Sequence, residues 1–409
     1  MLVTFFLSAF PRLSETFILS QITGLIDRGI DVRVIASNPT NEEVTHSDYN
    51  DYRLDEIVTH VFPQPSPGRL ALLGQEAARS PFRLAKSVRP GKFGKWSYSP
   101  KFLKTCRVVS EIEHERPSDV ILAHFGGVGD LAASVREVER FDAPLAVIFH
   151  GSDMAHPLAR GQRLYPRLKQ WGDLHLPISD RWKNALIKDG FAPEKTMVHR
   201  VGVDVPDQIP NLERPFGDPV RLLSVSRFAE KKGLEFAIRA VGHLKSAGRR
   251  IHYSLVGGGE LQDSLEALTD ELDLRDVVEF VGRLPKHEVV RAMQSHDIFL
   301  CPSVTSASGD QEGIPTAIME SMASGLLVVS TRHSGIPELV HDGESGLLAD
   351  ERDSQGFAAA IETLIDQPEL HAPFRQHGYQ WVDQHFNIDR LNDRLVQRLE
   401  RLAAGEPVE

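Results

Sequence analysis

A chain of 409 residues, 41% hydrophobic and 25% charged, has the composition of a globular protein and the length for two or three domains with full cores. Its 46 basic and 57 acidic residues leave a net charge of −11, which argues against nucleic acid as a partner. No apolar run reaches the ~18 residues that cross a bilayer, and Cys106 and Cys301 have neither metal-ligand nor redox spacing, so both read as reduced thiols of a cytosolic protein.

The first ten residues, MLVTFFLSAF, lack the basic start and small-residue cleavage site of a signal peptide and read as a buried strand over Val3 to Leu7. The turn AFPRLSET follows, with Ser14 placed to cap a helix whose Ile18, Ile22, Leu25 and Ile26 share one face. Asp31-VRVIA is the next strand, so the chain opens as a βαβ unit on a parallel sheet. The turn has no G-x-G-x-x-G, which removes a nicotinamide-dependent oxidoreductase. From Ser66 to Arg107 ten basic residues (Arg69, Arg79, Arg83, Lys86, Arg89, Lys92, Lys95, Lys101, Lys104 and Arg107) face a single acid, Glu76, with Phe82, Phe93, Trp96, Tyr98 and Phe102 interleaved. Such a segment suits an anionic membrane surface and equally a solvated helical hairpin with its rings turned inward. Strands Asp119-VILAH and Pro144-LAVIFH end at His124 and His150, at the edge where open α/β sheets bind ligands. A helix is expected over Asp180 to Lys188 and a strand over Lys195-TMVHR. VPDQIPNLERPFGDP, with four prolines, reads as a linker.

The second half starts with strand Val220-RLLSVS, the turn RFAEKKG and a helix from Leu234 to about Lys245. Arg227 and Lys232, with Lys231 as a substitute, stand where a phosphate would meet a strand end and a helix start. Gly257 to Gly259 in Ile251-HYSLVGGGELQ admit close backbone approach, either to a ligand or to a packed element. Val277-VEFVGRLP is a further strand and turn. Asp297 to Ser330 then reads strand, loop, helix, strand, with Pro315 at the first helical position and Gly325 after the last. The helix start would offer the N–H groups of Thr316, Ala317 and Ile318 to an anion. Gly313 lets the backbone approach closely, while Glu320 offers two acceptors to a vicinal diol such as a ribose, and Glu312 faces whatever hangs from the phosphate.

Glu312-Gly-Ile-Pro-Thr-Ala-Ile-Met-Glu320 resembles the E-x7-E motif of retaining GT-B glycosyltransferases, notably glycosyltransferase family 4. Arg227 to Gly233 is similar to that family's R-x4-K-G diphosphate motif, and His150-Gly-Ser-Asp153 to its HG-x-D element. Ser14, Glu15 and Thr16 resemble the SETF turn of exopolysaccharide glycosyltransferases, including those of colanic acid assembly. The resemblance is strongest over 220–349 and weak over 40–115. It implies an α/β GT-B fold, two Rossmann-like domains with parallel sheets facing across a cleft. The expected bounds are an acceptor domain over 1–205, a linker over 206–219, a donor domain over 220–380 and a C-terminal helix over 381–409 returning to the first domain.

By the same resemblance Glu312 and His150 contact the donor sugar, Glu320 holds the ribose, Arg227 and Lys232 take the diphosphate, and Arg283 and Leu284 meet the base. Ser14, Glu15, Thr16, Gly257, Gly258, Gly313, Ile314, Pro315 and Thr316 line the donor site, with His124 and Asp153 toward the acceptor. The donor implied is a nucleotide sugar, a UDP-sugar before a GDP-sugar, and the acceptor a lipid-linked or soluble glycan. No cofactor and no metal are expected, because protein cations replace the metal. The location implied is the cytoplasm, with peripheral contact at the inner face of the membrane through 66–107. A sugar-nucleotide epimerase and a non-catalytic nucleotide-sugar-binding module are the alternatives.

Overall fold

The computed structural model describes residues 1–12, 15–40, 47–62, 71, 74–75, 78–79, 81–87, 99–206 and 208–409. They form two compact units. Unit 1 comprises 1–178, 182–199 and 392–409, and unit 2 comprises 179–181 and 200–391.

Unit 1 is built on six parallel strands, β1 (Leu2–Ala9), β2 (Asp31–Asn38), β3 (Val58–His60), β4 (Val120–His124), β5 (Leu145–Phe149) and β6 (Leu174–Pro177), in the order β3-β2-β1-β4-β5-β6. Along β1 only Ser8 is less than buried. A strand covered on both faces needs apolar residues at successive positions, and LVTFFLSA supplies them. Val3 pairs with Val32 on one side and Val120 on the other.

Unit 2 repeats the plan with β7 (Val220–Arg227), β8 (Ile251–Gly258), β9 (Val278–Gly282), β10 (Ile298–Cys301), β11 (Leu327–Thr331) and β12 (Leu347–Ala349), in the order β12-β11-β10-β7-β8-β9. Successive side chains go to opposite faces. Leu222, Leu255, Leu300 and Val329 pack against Ala237 and Val241 of helix Leu234–Ser246 and Ile361 of helix Ser354–Asp366. Leu223, Val256, Phe299 and Val328 pack against Ile318 and Met322 of helix Thr316–Ala323 and Val382 of helix His371–His385. Each of these larger apolar side chains contributes roughly 1.5–3 kcal/mol by leaving water.

In both sheets the chain winds outward from its first strand, then returns to that strand's other side. The reversal leaves a crevice beyond the strand ends, between β1 and β4 in unit 1 and between β7 and β10 in unit 2.

Three expectations need correction. The segment 206–219 is strapped into unit 2: Arg214 donates to the Gln294 carbonyl at 2.7 Å, and Arg375, 1% exposed, donates to the carbonyls of Leu212 at 3.2 Å and Arg214 at 2.6 Å. Its prolines exclude regular structure, as read, but a buried arginine far along the chain holds it in place. The strand expected over Lys195 to Arg200 is a 3-10 turn, Pro193–Lys195, then one bridge from Thr196 to His175. The chain passes back to unit 1 at Asn392, inside helix Ile388–Ala403, not at 381. There Asp393 pairs with Arg28 at 2.6 Å and Arg398 donates to the Val198 carbonyl at 3.1 Å.

Candidate active site

β7 ends at Arg227, which is exposed and has no ion-pair partner among the described residues. The chain turns through Glu230–Lys232 and then Gly233, with φ at +60°. A Cβ on Gly233 would stand 2.0 Å from the Pro302 carbonyl oxygen, so both the backbone angle and the close approach require glycine. That approach seats the loop after β7 against the loop after β10. Val304 N donates to Lys231 O at 2.9 Å, and Ala307 N to a Glu230 carboxylate oxygen at 2.8 Å.

The juxtaposition puts Glu312 between two lysines. Its Oε1 lies 3.1 Å from Lys232 Nζ and 3.7 Å from Lys231 Nζ, and Lys231 also reaches Asp310 at 3.1 Å. Burial works against a charge on Glu312, which is 8% exposed, but Lys232 and Lys231 outweigh it and hold its pKa below the usual carboxylate range. The Glu312 backbone is fixed as well. Its N–H donates to His333 Nε2 at 3.1 Å, Ser334 Oγ donates to its carbonyl at 2.7 Å, and His333 Nδ1 meets Glu351 Oε1 at 2.6 Å. His333 therefore carries its proton on Nδ1 and accepts through Nε2.

Helix Thr316–Ala323 starts beside this cluster. Pro315 is its N-cap rather than its first residue, and no side chain caps it. Among the described residues the N–H groups of Thr316 and Ala317 have no partner. That of Ile318 is spent on the Pro315 carbonyl at 3.1 Å, so two of the three expected donors are available. Ile314 is buried in the core, and the Gly313 carbonyl accepts from Gly335 N at 3.3 Å. Glu320 projects from the same helix, and burial raises its pKa, with Lys286 opposing and Asp204 adding.

The glycine run resolves unevenly. A Cβ on Gly257 would sit 1.8 Å from the Ser226 carbonyl, and one on Gly259 2.6 Å from that of Phe228. These two glycines serve packing against the end of β7. Gly258 is the open one, and the nearest atom to a Cβ there would be Nε of the exposed Arg283 at 3.6 Å. Leu284 packs on the apolar cluster that holds Ile314 and Ile318.

Unit 1 carries a different constellation. His124 ends β4, and His150 follows β5. His124 Nδ1 and His150 Nε2 are 3.0 Å apart, with the rings stacked, and Phe17 and Phe125 close on His150 at 4.6 and 4.5 Å between centroids. Burial pushes the pKa of His150 down to about 3 and that of His124 well below normal. Asp153 takes N–H groups from Gly126 at 2.7 Å and His150 at 3.1 Å, while burial still raises its pKa to about 6. Both its oxygens thus accept backbone N–H groups, which makes it a brace for the His150 turn. Ser14 lies outside the described residues. Glu15 is the N-cap of helix Thr16–Asp27 without a side-chain capping bond and pairs with Arg12 at 3.1 Å, and Thr16 is exposed.

The amylovoran biosynthesis glycosyltransferase AmsK of Erwinia amylovora is 38% identical over 410 residues, covering 98% of this chain and 100% of that protein. The chain belongs to the group 1 glycosyltransferases. The family model "Glycosyl transferases group 1" matches residues 207–381, and "Glycosyl transferase 4-like domain" matches 14–202. The putative colanic acid biosynthesis glycosyltransferase WcaL of Salmonella typhimurium is 37% identical over 408 residues, again covering 98% of this chain and 100% of the relative. Among solved structures, Anabaena HepE in complex with UDP-glucose superposes with a TM-score of 0.70 at 19% identity, over 98% of this chain and 99% of that one. The fold is GT-B, as the motifs implied.

For a group 1 glycosyltransferase, sequence reading assembled Glu312, Glu320, Arg227 and Lys232 on the strand ends and helix start of one unit. It missed His333 and Glu351. Their signal was present as polar residues in the loops after β11 and β12, but no spacing marks a histidine that meets a backbone N–H 21 residues earlier in the chain.

Proposed function

We propose that this glycosyltransferase moves a sugar from a UDP-sugar to a lipid-linked or soluble glycan in cell-surface polysaccharide synthesis, with retention of anomeric configuration and without a metal. The observation that carries the reading is Glu312 clamped by Lys232 and Lys231 beside an uncapped helix start, at the sheet's reversal point. A departing diphosphate gains negative charge as the glycosidic bond breaks. Lys232, Arg227 and the N–H groups of Thr316 and Ala317 are the donors positioned to stabilise that charge, and preorganised donors are worth most where charge develops. In the ligand-free enzyme Lys232 spends its charge on Glu312. Arrival of the phosphates would let Glu312 turn to the sugar, and Glu320 would take the ribose diol. Neutral His150, its ring held by Asp153 through the backbone, would contribute a hydrogen bond to a sugar hydroxyl.

The relatives AmsK and WcaL, of amylovoran and colanic acid biosynthesis, support the exopolysaccharide reading, and the UDP-glucose bound by HepE supports the donor class. No helix among the described residues is long and apolar enough to cross a membrane, and peripheral contact through 66–107 is the proposed route to a lipid-linked acceptor. For that contact the basic segment is partly committed elsewhere. Arg83 pairs with Glu139 at 2.6 Å, Arg107 with Glu111 at 2.9 Å, Lys101 and Lys104 lie over the Phe62 ring, and Phe102 is buried. Phe82, 83% exposed, supports it, and Arg69, Arg89, Lys92, Phe93, Lys95, Trp96 and Tyr98 lie outside the described residues. A thermal-shift screen against UDP- and GDP-sugars tests the donor, since a ligand of the folded state raises the melting temperature. Stabilisation by GDP-sugars alone overturns the UDP assignment, and loss of transfer on adding EDTA overturns the metal-free one.

A further inference from the structure

Away from the donor site, three ligating side chains converge on unit 2. His341 and Glu344 stand on the tight turn before β12, and His377 on helix His371–His385. Their ligand atoms lie within 4.8 Å of one another, and His341 Nδ1 is 3.3 Å from His377 Nε2. Glu344 Oε2 is 3.7 Å from the other nitrogen of His377. We propose that His341, His377 and Glu344 form a site for a divalent transition cation of the zinc class.

Two imidazole nitrogens bound at about 2.0–2.1 Å to one tetrahedral ion stand roughly 3.3–3.4 Å apart. The observed 3.3 Å meets that edge and is long for an N–H···N hydrogen bond. Two histidines and a carboxylate are the donor set of a borderline ion, with one position left for water. The turn is braced before any ion arrives. His341 N donates to Ser345 Oγ at 2.8 Å, Gly343 N to Gly346 O at 2.9 Å, and Leu348 N to Asp342 at 2.9 Å. The His341 ring is set against Trp381 at 4.5 Å, and Trp381 is anchored by its own bond to the Glu338 carbonyl at 3.1 Å. Glu344 is exposed, so its carboxylate can swing in. The site shares no residue with the donor cluster, so its occupancy is separate from the metal-free chemistry proposed there.

The test uses the full chain stripped by chelator and titrated with zinc alone by calorimetry. Nickel quenching of tryptophan fluorescence reports contact at Trp381. One saturable zinc site per chain is expected, with a rise in melting temperature and quenching by nickel. Glu344→Gln and His341→Asn should each weaken zinc at least about 10-fold while leaving the metal-free melting temperature unchanged for Glu344→Gln, whose side chain is exposed. Absence of saturable uptake, or uptake unaltered in both variants, overturns the proposal. Since the readouts are binding and fluorescence, failure here leaves the glycosyl-transfer reading untouched, and failure of that reading leaves this one standing.

Discussion

At the reversal point of unit 2 a buried glutamate stands between two lysines, with the exposed Arg227 at the end of β7. At the matching point of unit 1 two histidines stack among phenylalanines. The sheets have the same strand plan, so the difference lies in what burial meets. Glu312 stays ionised because two ammonium groups outweigh its desolvation. Among the described residues no anion offsets the desolvation of His124 and His150, and burial strips their protons. One scaffold thus presents a charged socket, suited to a diphosphate, and a neutral one, suited to hydroxyl groups.

The largest effect should follow from unbalancing the charged socket. Lys232→Ala removes the closer ammonium from Glu312 and, on the proposed mechanism, a donor to the leaving diphosphate. The expected loss in kcat is about 10²–10³-fold, the scale of one preorganised donor, read from initial rates at saturating nucleotide sugar. Near-normal turnover would take Lys232 out of the machinery. His150→Ala should lower rate with much less change in nucleotide affinity, which separates the two sockets by function.

Acid should separate them by stability. Burial lowers the pKa of His150 and His199 to about 3 and of His175 to about 4, and lowers His124 as well, all in unit 1. Unfolded histidine titrates near ~6.5. A depressed folded pKa means stability that is complete above the unfolded value and lost as pH falls from there toward the folded one. Asp153 acts in the opposite sense. Its folded pKa of about 6 exceeds the usual carboxylate value, so its contribution is regained as pH falls through 6. Four histidines outweigh one aspartate. Hydrogen exchange should show unit 1 losing protection between about pH 6.5 and pH 5, and Asp153→Asn should steepen the loss. In unit 2 burial also lowers His296, His341 and His371, but His296 and His341 are only half-buried, and its protection should fall less. Equal loss in both units would contradict this account.

A smaller change tests how Glu312 is held. His333→Ala removes the acceptor of the Glu312 N–H and leaves Glu351 without its partner. Roughly tenfold lower kcat is expected, about 1.4 kcal/mol, with the donor KM little altered. Glu351→Gln should reproduce part of it.

What the sequence disclosed follows from the range of the interactions. Strand and helix positions were legible because apolar periodicity is local: β1, β7 and helix Asp180–Lys188 lie where the pattern puts them. The E-x7-E pair was legible because both glutamates sit on one loop and the helix it feeds. Gly233 was read as a phosphate-motif glycine, yet its contact is with Pro302, on another strand's loop. The strapping of 206–219 by Arg375, the His333 support and the bracing role of Asp153 are made by partners distant in sequence or by backbone groups. Neither leaves a spacing to read.

Glu320 is the place where unit 2 behaves like unit 1. Its carboxylate is on the same helix as the uncapped amides, yet burial prevails over Lys286 and its pKa rises. A charge kept at such a cost is explained if a ribose diol supplies the missing hydrogen bonds, since a ligand can offset a desolvation that the protein alone does not. Glu320→Gln should then do two opposed things. The ligand-free enzyme should gain stability, on the order of 0.5–1 kcal/mol, because a half-buried charge that Lys286 only partly offsets is gone. The donor KM should rise up to about tenfold, because a neutral amide accepts more weakly than a carboxylate. A loss of stability with unchanged KM would show that Glu320 is a structural acid, and the ribose would have to be assigned elsewhere.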